Sequence, residues 1–241
     1  MIFFNYSYFK MNLIKKIFAK SPLGIIFYTR KFIQSEKKID YQQRFIEFNI
    51  STNSNVLDIG SGGEPFPHAN FLIDRYPGKT QHRHNPLKTN NLPFTNGDVQ
   101  CLPYKNRSFD FIYCAHVLEH VENPVKALSE IQRVGKSGYI EVPTRMSDIV
   151  FNFARLKHFH KWYISVVGNT LIFIEYSEKE RRDTGDQELF YMAHSLLPNS
   201  IRSSYRKNKD LFTNMFLWND YFVFYVFDKD GNLIHTNFTI H

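Results

Sequence analysis

The strongest constraint on this chain is the segment VLDIGSGG at positions 56–63, where a short apolar run leads directly into a glycine-rich turn. Such a run, bounded by a turn, is typical of a buried strand in a parallel sheet. Glycine tolerates positive φ and lets a ligand approach the backbone closely. In an open α/β sheet, ligands bind beyond the carboxyl ends of the strands. The segment therefore predicts a strand followed by a ligand-binding turn.

The residues after the turn narrow the class of ligand. A dinucleotide-binding turn has the pattern Gly-x-Gly-x-x-Gly. Counted from Gly60, the last glycine of that pattern is replaced by Pro65. Pro65 and Pro67 also disfavour a long helix beginning there. No Gly-Lys-Ser/Thr follows, which excludes a phosphate-binding P-loop. The turn therefore favours a ligand without phosphates.

From Val56 onward, apolar runs alternate with helical patterns. Strands are predicted over 56–59, 71–73, 109–114 and 139–142. A helix is predicted over 124–134, with Asn123 as N-cap and Pro124 in the first position. This alternation predicts an α/β fold with a doubly wound, mostly parallel sheet.

The flanking regions are predicted to add helices and hairpins to this core. Before it, residues 39–48 fit an amphipathic helix. After it come a helix near 147–159, a charged loop over 177–188, and hairpins over 162–176 and 221–238. The predicted domains are a basic, aromatic helical extension (1–50), a cofactor-binding core (51–145) and a β-rich C-terminal part that completes the sheet and the acceptor site (146–241).

Acidic residues stand where two further segments would meet the turn. Asp74 closes the second strand, and a carboxylate has two acceptor oxygens for the two hydroxyls of a ribose. Asp98 precedes Val99, so its carboxylate could accept from an adenine amino group while Val99 packs on the ring.

Four segments in this order carry a family resemblance: VLDIGSGG, FLID, GDVQCLPYKNRSFDFIYC and HVLEHVENPVKALSEIQRVGKSGYIEVP. Over about residues 55–143 they resemble class I S-adenosylmethionine-dependent methyltransferases of the type-11-like group. The resemblance implies a Rossmann-like fold and S-adenosyl-L-methionine as cofactor. It also implies a set of cofactor-binding residues: Asp58, Gly60, Ser61 and Gly62 at the methionine end, Asp74 at the ribose, Asp98 and Val99 at the adenine, and Cys114 to His116 at the sulfonium.

One feature departs from that family. Only ten residues separate Gly63 from Asp74, and two of them are proline. The helix that usually follows the glycine turn has little room here, so we expect the pocket to differ most at this point.

Methyl transfer requires the nucleophile to be aligned with the methyl group, and an oxygen nucleophile also gains from a general base. His116 is the first candidate for that catalytic role, because a histidine titrates near neutral pH. His158, His160 and Glu141 are alternatives. Each of these residues also has a structural interpretation, as a packing or capping group.

Two other functions stay open. His116, Glu119 and His120 match the H-x-x-E-H pattern of some zinc proteases. This pattern directly follows a strand and is interrupted by Asn123 and Pro124, so it is a remote alternative and no metal is predicted. A binding or scaffold protein that retains a methyltransferase fold is the second.

The charge distribution indicates which classes of partner the chain could bind. The formal net charge is +7, and residues 1–40 contain eight Lys or Arg against two acidic residues. The rest of the chain is close to neutral, so nucleic-acid binding is not expected. The basic aromatic N-terminus fits either a cap over the acceptor site or, through residues 1–35, a peripheral membrane contact.

Cysteine content and hydropathy suggest a compartment. Two cysteines give no disulfide framework, and no apolar run is long enough for a transmembrane helix, which together favour a cytoplasmic protein. The predicted function is methyl transfer to oxygen of a small-molecule, glycan or lipid-linked acceptor. The sequence leaves the oligomeric state open.

Overall fold

The computed structural model describes residues 37–78, 80, 85–151, 159–182 and 200–239. Its strands are β1 (Val56–Ile59), β2 (Phe71–Asp74), β3 (Phe94–Asn96), β4 (Phe111–Ala115), β5 (Ser137–Pro143), β6 (Trp162–Val167), β7 (Thr170–Glu175), β8 (Thr213–Asn219), β9 (Val223–Phe227) and β10 (Leu233–Thr236). Its helices are α1 (Lys38–Gln42), α2 (Pro124–Val134), α3 (Arg145–Val150), α4 (Glu178–Arg182), α5 (Ser200–Lys207) and α6 (Lys209–Phe212).

The main sheet has the strand order β3-β2-β1-β4-β5-β8. Its first five strands are parallel, and β8 runs antiparallel to β5. The chain therefore lays β1, β2 and β3 outward in one direction and places β4 on the other side of β1. That reversal creates a switch point between β1 and β4, where an open sheet forms a crevice at its carboxyl edge. The predicted α/β class with a mostly parallel sheet is confirmed.

Helix α2 covers one face of this sheet. Ala127, Leu128, Ile131 and Val134 are fully buried, at the spacing expected for one helical face. The Asn123 side chain accepts a hydrogen bond from the Lys126 backbone N–H, so the predicted helix and its cap are confirmed. The residues beneath it on β1 and β4 are buried on both sides, which explains their continuous apolar sequence.

A second sheet follows in the order β10-β9-β7-β6. Strands β6 and β7 form one predicted hairpin, and Gly168 between them has a φ of 56°. Strands β9 and β10 form the other. Both hairpins are confirmed, and β7 joins them by pairing parallel to β9.

Several local predictions are wrong. The helix predicted over 39–48 ends at Gln42, because Phe48 beyond it packs edge-on against Phe66 and Tyr139 in the core instead of continuing the helix. The loop predicted over 177–188 contains α4. Strands β3 and β8 were not predicted, since β3 has only three residues and β8 is stabilised by pairing with a distant strand.

Other predictions fall outside the described residues. These are the helices within 1–36, the membrane contact assigned to 1–35, and the part of the 147–159 helix that covers 152–158. Among the described residues, no helix has the length and apolar character that a membrane span requires.

Strand β5 offers a test of the sheet packing. A Cβ added at Gly138 would collide with the Ile112 carbonyl oxygen and lie 2.9 Å from Trp218 Nε1. Because backbone cannot yield easily, Gly138→Ala should lower the free energy of unfolding by about 1–3 kcal/mol in urea denaturation. Gly78→Ala is the control, since nothing lies within 4 Å of the added carbon there. Equal stability of the two variants would contradict the packing described.

Candidate active site

A cleft of about 660 Å³ opens beyond the carboxyl ends of the parallel strands, which is within the range of small-molecule sites. It lies at the switch point between β1 and β4. The cleft is lined by the glycine turn after β1, by the ends of β2 and β4, and by the segments that follow them. The predicted site residues among its lining are Gly60, Ser61, Gly62, Asp74, Asp98, Val99 and His116.

The backbone of the glycine turn has a conformation that residues with a Cβ adopt only at a cost in free energy. Gly60 and Gly62 have φ values of 73° and 56°, in the left-handed region. A Cβ at Gly60 would also collide with the Val117 side chain. The Gly60 N–H donates to the Ile73 carbonyl at 2.8 Å, which ties the turn to β2.

Asp74 braces this turn from the neighbouring strand. Its Oδ2 accepts from the Gly62 N–H at 3.1 Å, and its Oδ1 accepts from the Tyr76 N–H at 2.8 Å. Asp98 accepts from the Gln100 N–H at 2.9 Å and forms an ion pair with Arg75 at 3.1 Å. Both carboxylates are therefore fixed in orientation at the wall of the cleft.

Two predicted cofactor residues do not line the cleft. Cys114 is fully buried in the core on β4, so Ala115 and His116 face the cleft in its place. The expectation that Cys114 faces the sulfonium does not agree with this placement, because neighbouring residues of a strand point to opposite sides. Asp58 lies behind the turn, where its Oδ2 accepts from the Phe66 N–H at 2.8 Å.

Burial raises the pKa of Asp58 to about 6, against the opposing effects of the Phe66 hydrogen bond and the charge of Lys38. Asp58 thus holds the chain after the turn and does not contact the space where a ligand would bind.

The lining of the cleft fits a ligand that has an uncharged nucleoside and that lies close to the backbone of the glycine turn. In the described part of the chain, Ser61 Oγ is buried and has no hydrogen-bond partner, and Ser61 lines the cleft. Buried hydroxyls are usually hydrogen-bonded, so we expect Ser61 Oγ to bond to a ligand or to water. Together with the space that Gly60 and Gly62 leave at the backbone, it fits S-adenosylmethionine.

His116 lies between two buried carboxylates at the end of β4. Its Nε2 is 2.9 Å from Glu141 Oε1, and its Nδ1 is 3.5 Å from Glu119 Oε1. The His116 side chain is 39% exposed, and the hydrogen bonds and charges of both glutamates raise its pKa to about 9. The residue has a φ of 58°, which is uncommon for a side chain other than glycine.

Glu141 is the centre of a buried polar network. It accepts hydrogen bonds from Tyr41 Oη, from Tyr139 Oη at 2.5 Å and from Gln42 Nε2 at 2.6 Å, besides the contact with His116. Burial alone would raise the pKa of Glu141, but the hydrogen bond and charge of His116 and the hydroxyls of Tyr139 and Tyr41 lower it to about 2. Helix α1 is thereby attached to the carboxyl end of β5.

The geometry of the H-x-x-E-H segment does not match a zinc protease. Residues Leu118–His120 form one turn of 3₁₀-helix, and the ring of His116 is directed at Glu141 and Glu119. His116 and His120 therefore do not share one face of an α-helix, as that motif requires. Of the alternative catalytic residues, His160 donates to Asp148 at 2.7 Å away from the cleft lining, and His158 lies outside the described residues.

Several residues of the site were not predicted. Tyr41 and Gln42 reach Glu141 across about a hundred positions of sequence, and Lys38 from the same helix lines the cleft. A glutamate inside the apolar strand YIEVP was the one available signal that something must pair with it.

A family model described as "Methyltransferase domain" matches residues 57–142, which span β1 to β5 and contain the glycine turn, Asp74, Asp98 and His116. Residues 57–142 are thus similar to a methyltransferase domain, as the resemblance to class I S-adenosylmethionine-dependent methyltransferases implies. The cofactor of the domain is S-adenosylmethionine, in agreement with the resemblance drawn from the sequence.

Similarity to individual proteins covers less of the chain. A protein of Schizosaccharomyces pombe described as an uncharacterized methyltransferase is 41% identical over 51 residues, which are 21% of this chain and 18% of the relative. This chain therefore matches less than a fifth of that relative's length.

Among solved structures, a Haloferax volcanii protein in complex with the Trm112 methyltransferase activator gives a TM-score of 0.46 at 16% identity, covering 76% of this chain and 88% of that one. The YcgJ protein of Bacillus subtilis gives a TM-score of 0.35 at 20% identity, covering 46% and 56%.

Asp58 should make stability depend on pH. Because its folded pKa is raised, its contribution is fully present below about pH 3.8 and is lost as pH rises through about 6. Asp58→Asn should therefore gain about 2–3 kcal/mol relative to wild type between pH 4 and pH 7. Urea denaturation across that range measures it, and parallel stability curves for the two proteins would contradict it.

Glu141 should control the protonation of His116. Glu141→Gln removes one of the two carboxylates that stabilise the imidazolium, so the pKa of His116 should fall from about 9 towards 6.5. Ring-proton NMR titration measures the change. Glu175→Gln, at the end of β7 in the other sheet, is the matched control and should leave the His116 titration as in wild type.

Proposed function

We propose that this protein transfers the methyl group of S-adenosylmethionine to a hydroxyl oxygen of a hydrophilic acceptor, a small molecule or a glycan, free or lipid-linked. The observation that carries the proposal is one cleft whose lining combines the glycine turn, Asp74 and Asp98 with the polar side chains of His116, His120 and Glu122.

The glycine turn, Asp74 and Asp98 have the features that S-adenosylmethionine binding requires. Asp74 and Asp98 supply fixed acceptor oxygens for ribose hydroxyls and an adenine amino group, and Val99 offers an apolar surface beside them. When bound, the cofactor supplies a methyl group on a positively charged sulfur. The residues of the turn hold it against the backbone, because glycine leaves that space open.

The other polar residues of the cleft favour a polar acceptor. Besides His116 and His120, Lys38, Glu64 and Glu122 line the cleft. Charged groups of both signs can orient hydroxyl groups through hydrogen bonds, whereas an acyl chain has no polar group to bond to them. The acceptor oxygen forms the new C–O bond as the bond from sulfur to methyl breaks, and its hydroxyl proton leaves to water.

His116 is better suited to positioning than to proton abstraction. Both ring nitrogens already face carboxylates, at 2.9 Å from Glu141 and 3.5 Å from Glu119. Both nitrogens are engaged by these contacts, so neither is well placed to take a proton from an acceptor. We assign a positioning role to His116: it holds the chain at the end of β4, where Ala115 and Val117 line the cleft on either side of it.

The cofactor half of the proposal is tested by Asp74→Ala. Loss of a charged acceptor for two hydroxyls should weaken S-adenosylhomocysteine binding about tenfold to a hundredfold, measured by calorimetry. Asp210→Asn, an exposed acidic residue on α6, is the matched control and should bind like wild type.

The acceptor half is tested by labelled-methyl transfer to fractionated glycans, lipid-linked glycans, polar metabolites and RNA. Label in a polyhydroxylated fraction that resists mild alkali, as an ether does, is the expected result. Label in RNA or in an amine would overturn the acceptor class. Cofactor binding without transfer to any fraction would favour the alternative of a binding protein.

A further inference from the structure

A second cluster of polar side chains lies behind one wall of the cleft. Glu119 and His120 come from the 3₁₀ turn after β4, and His160 precedes β6. Each residue offers one potential ligand atom, and the three atoms lie within 4.8 Å of one another. Because His160 is 41 residues beyond Glu119 in the sequence, the cluster is formed by the fold.

Each of the two histidine rings is held by a hydrogen bond from its own Nδ1 atom. His120 Nδ1 donates to the Phe159 carbonyl oxygen at 2.7 Å, and His160 Nδ1 donates to Asp148 Oδ1 at 2.7 Å. Since carbonyl and carboxylate oxygens only accept, both Nδ1 atoms carry the proton. This is the arrangement found around metal-binding histidines, where the outer hydrogen bond fixes the tautomer and orients Nε2 as a ligand.

The partners of the rings are themselves fixed. Asp148 is fully buried and also accepts from Tyr176 Oη at 2.6 Å. Phe159 stacks on the His160 ring with centroids 5.0 Å apart, and the two histidine rings meet edge to face at 4.8 Å. The orientation of the two rings is therefore set by packed and hydrogen-bonded neighbours.

Glu119 provides the observation that points to a ligand. The residue is 1% exposed, and its Oε1 faces His116 at 3.5 Å and His120 Nε2 at 3.8 Å. Among the described residues, its Oε2 is buried with no hydrogen-bond partner. A buried carboxylate oxygen without a partner costs free energy, and a bound ion is one of the few things that removes that cost.

We propose that Glu119, His120 and His160 bind one divalent transition-metal ion of the zinc class. Two imidazole nitrogens and one carboxylate form a ligand set suited to Zn²⁺ rather than to Mg²⁺ or Ca²⁺, which prefer oxygen ligands. His120 also lines the cleft, so a fourth position faces the space where a water or an acceptor oxygen would lie.

Binding requires a modest closing of the cluster. Ligand atoms of a tetrahedral zinc site lie about 3.3 Å apart, as follows from bond lengths of about 2.0–2.1 Å. The present separations reach 4.8 Å, so the side chains must approach by roughly 1.5 Å at most. The proposal depends on this cluster alone and not on methyl transfer.

The test is zinc binding by the full chain, prepared without a histidine tag and stripped of metal with a chelator. We expect one Zn²⁺ per chain in elemental analysis after dialysis and a single strong phase in calorimetry. Glu119→Gln and His160→Gln should each weaken that phase more than about tenfold, and Asp148→Ala, which removes the acceptor of both His160 Nδ1 and Tyr176 Oη, about tenfold to a hundredfold. His68→Gln, an exposed histidine elsewhere, is the matched control and should bind like wild type.

Three results would overturn the proposal: no zinc retained by the wild type, equal zinc in the wild type and His160→Gln, or preferential binding of Mg²⁺. Far-ultraviolet circular dichroism of each variant reports whether it has folded. If Glu119→Gln has not folded, zinc binding by the wild type is compared with that of His160→Gln, because His160 does not line the cleft. Zinc binding with no transferase activity would leave this site intact and remove only the proposed function.

Discussion

Glu141 carries a negative charge in a position with no solvent exposure, and the arrangement of the active end of the sheet depends on how that charge is satisfied. An unpaired carboxylate at such depth costs several kcal/mol or more. Glu141 is instead surrounded by two tyrosine hydroxyls, a glutamine amide and the His116 ring. Because the donors come from α1, β5 and the end of β4, the same contacts that stabilise the charge also hold these three elements together.

His116 connects this network to the cluster around Glu119. Its ring lies between the two carboxylates, so their negative charges are separated by a shared positive one. The left-handed backbone at His116 is the geometric condition for this placement, and strain of that kind is retained when the surrounding contacts fix it. One residue thus relates the cofactor cleft to the polar groups behind its wall.

Local sequence patterns were sufficient for the centre of the fold. The apolar run before the glycine turn, the cap at Asn123 and the glycine-bearing hairpins are each determined by neighbouring residues, and the structure has them. Contacts between distant segments were not accessible in the same way. Nothing near Tyr41 indicates that it will meet Glu141, and β8 is a strand because β5 lies beside it. The pairing of His160 with Asp148 next to Glu119 likewise exists only after folding.

Residues 60–70 follow β1 without forming a helix. A helix beginning there would direct its positive dipole end at the ligand, and that end commonly balances a negative group. Here the turn is packed instead against the chain at Asn85 and Pro86, and the Lys88 N–H donates to the Gly62 carbonyl oxygen. The positive charge that faces this part of the cleft belongs to the Lys38 side chain, on a helix held by Glu141. The positive charge beside the glycine turn therefore comes from a segment that precedes the sheet, and its position depends on the packing of α1 against Glu141.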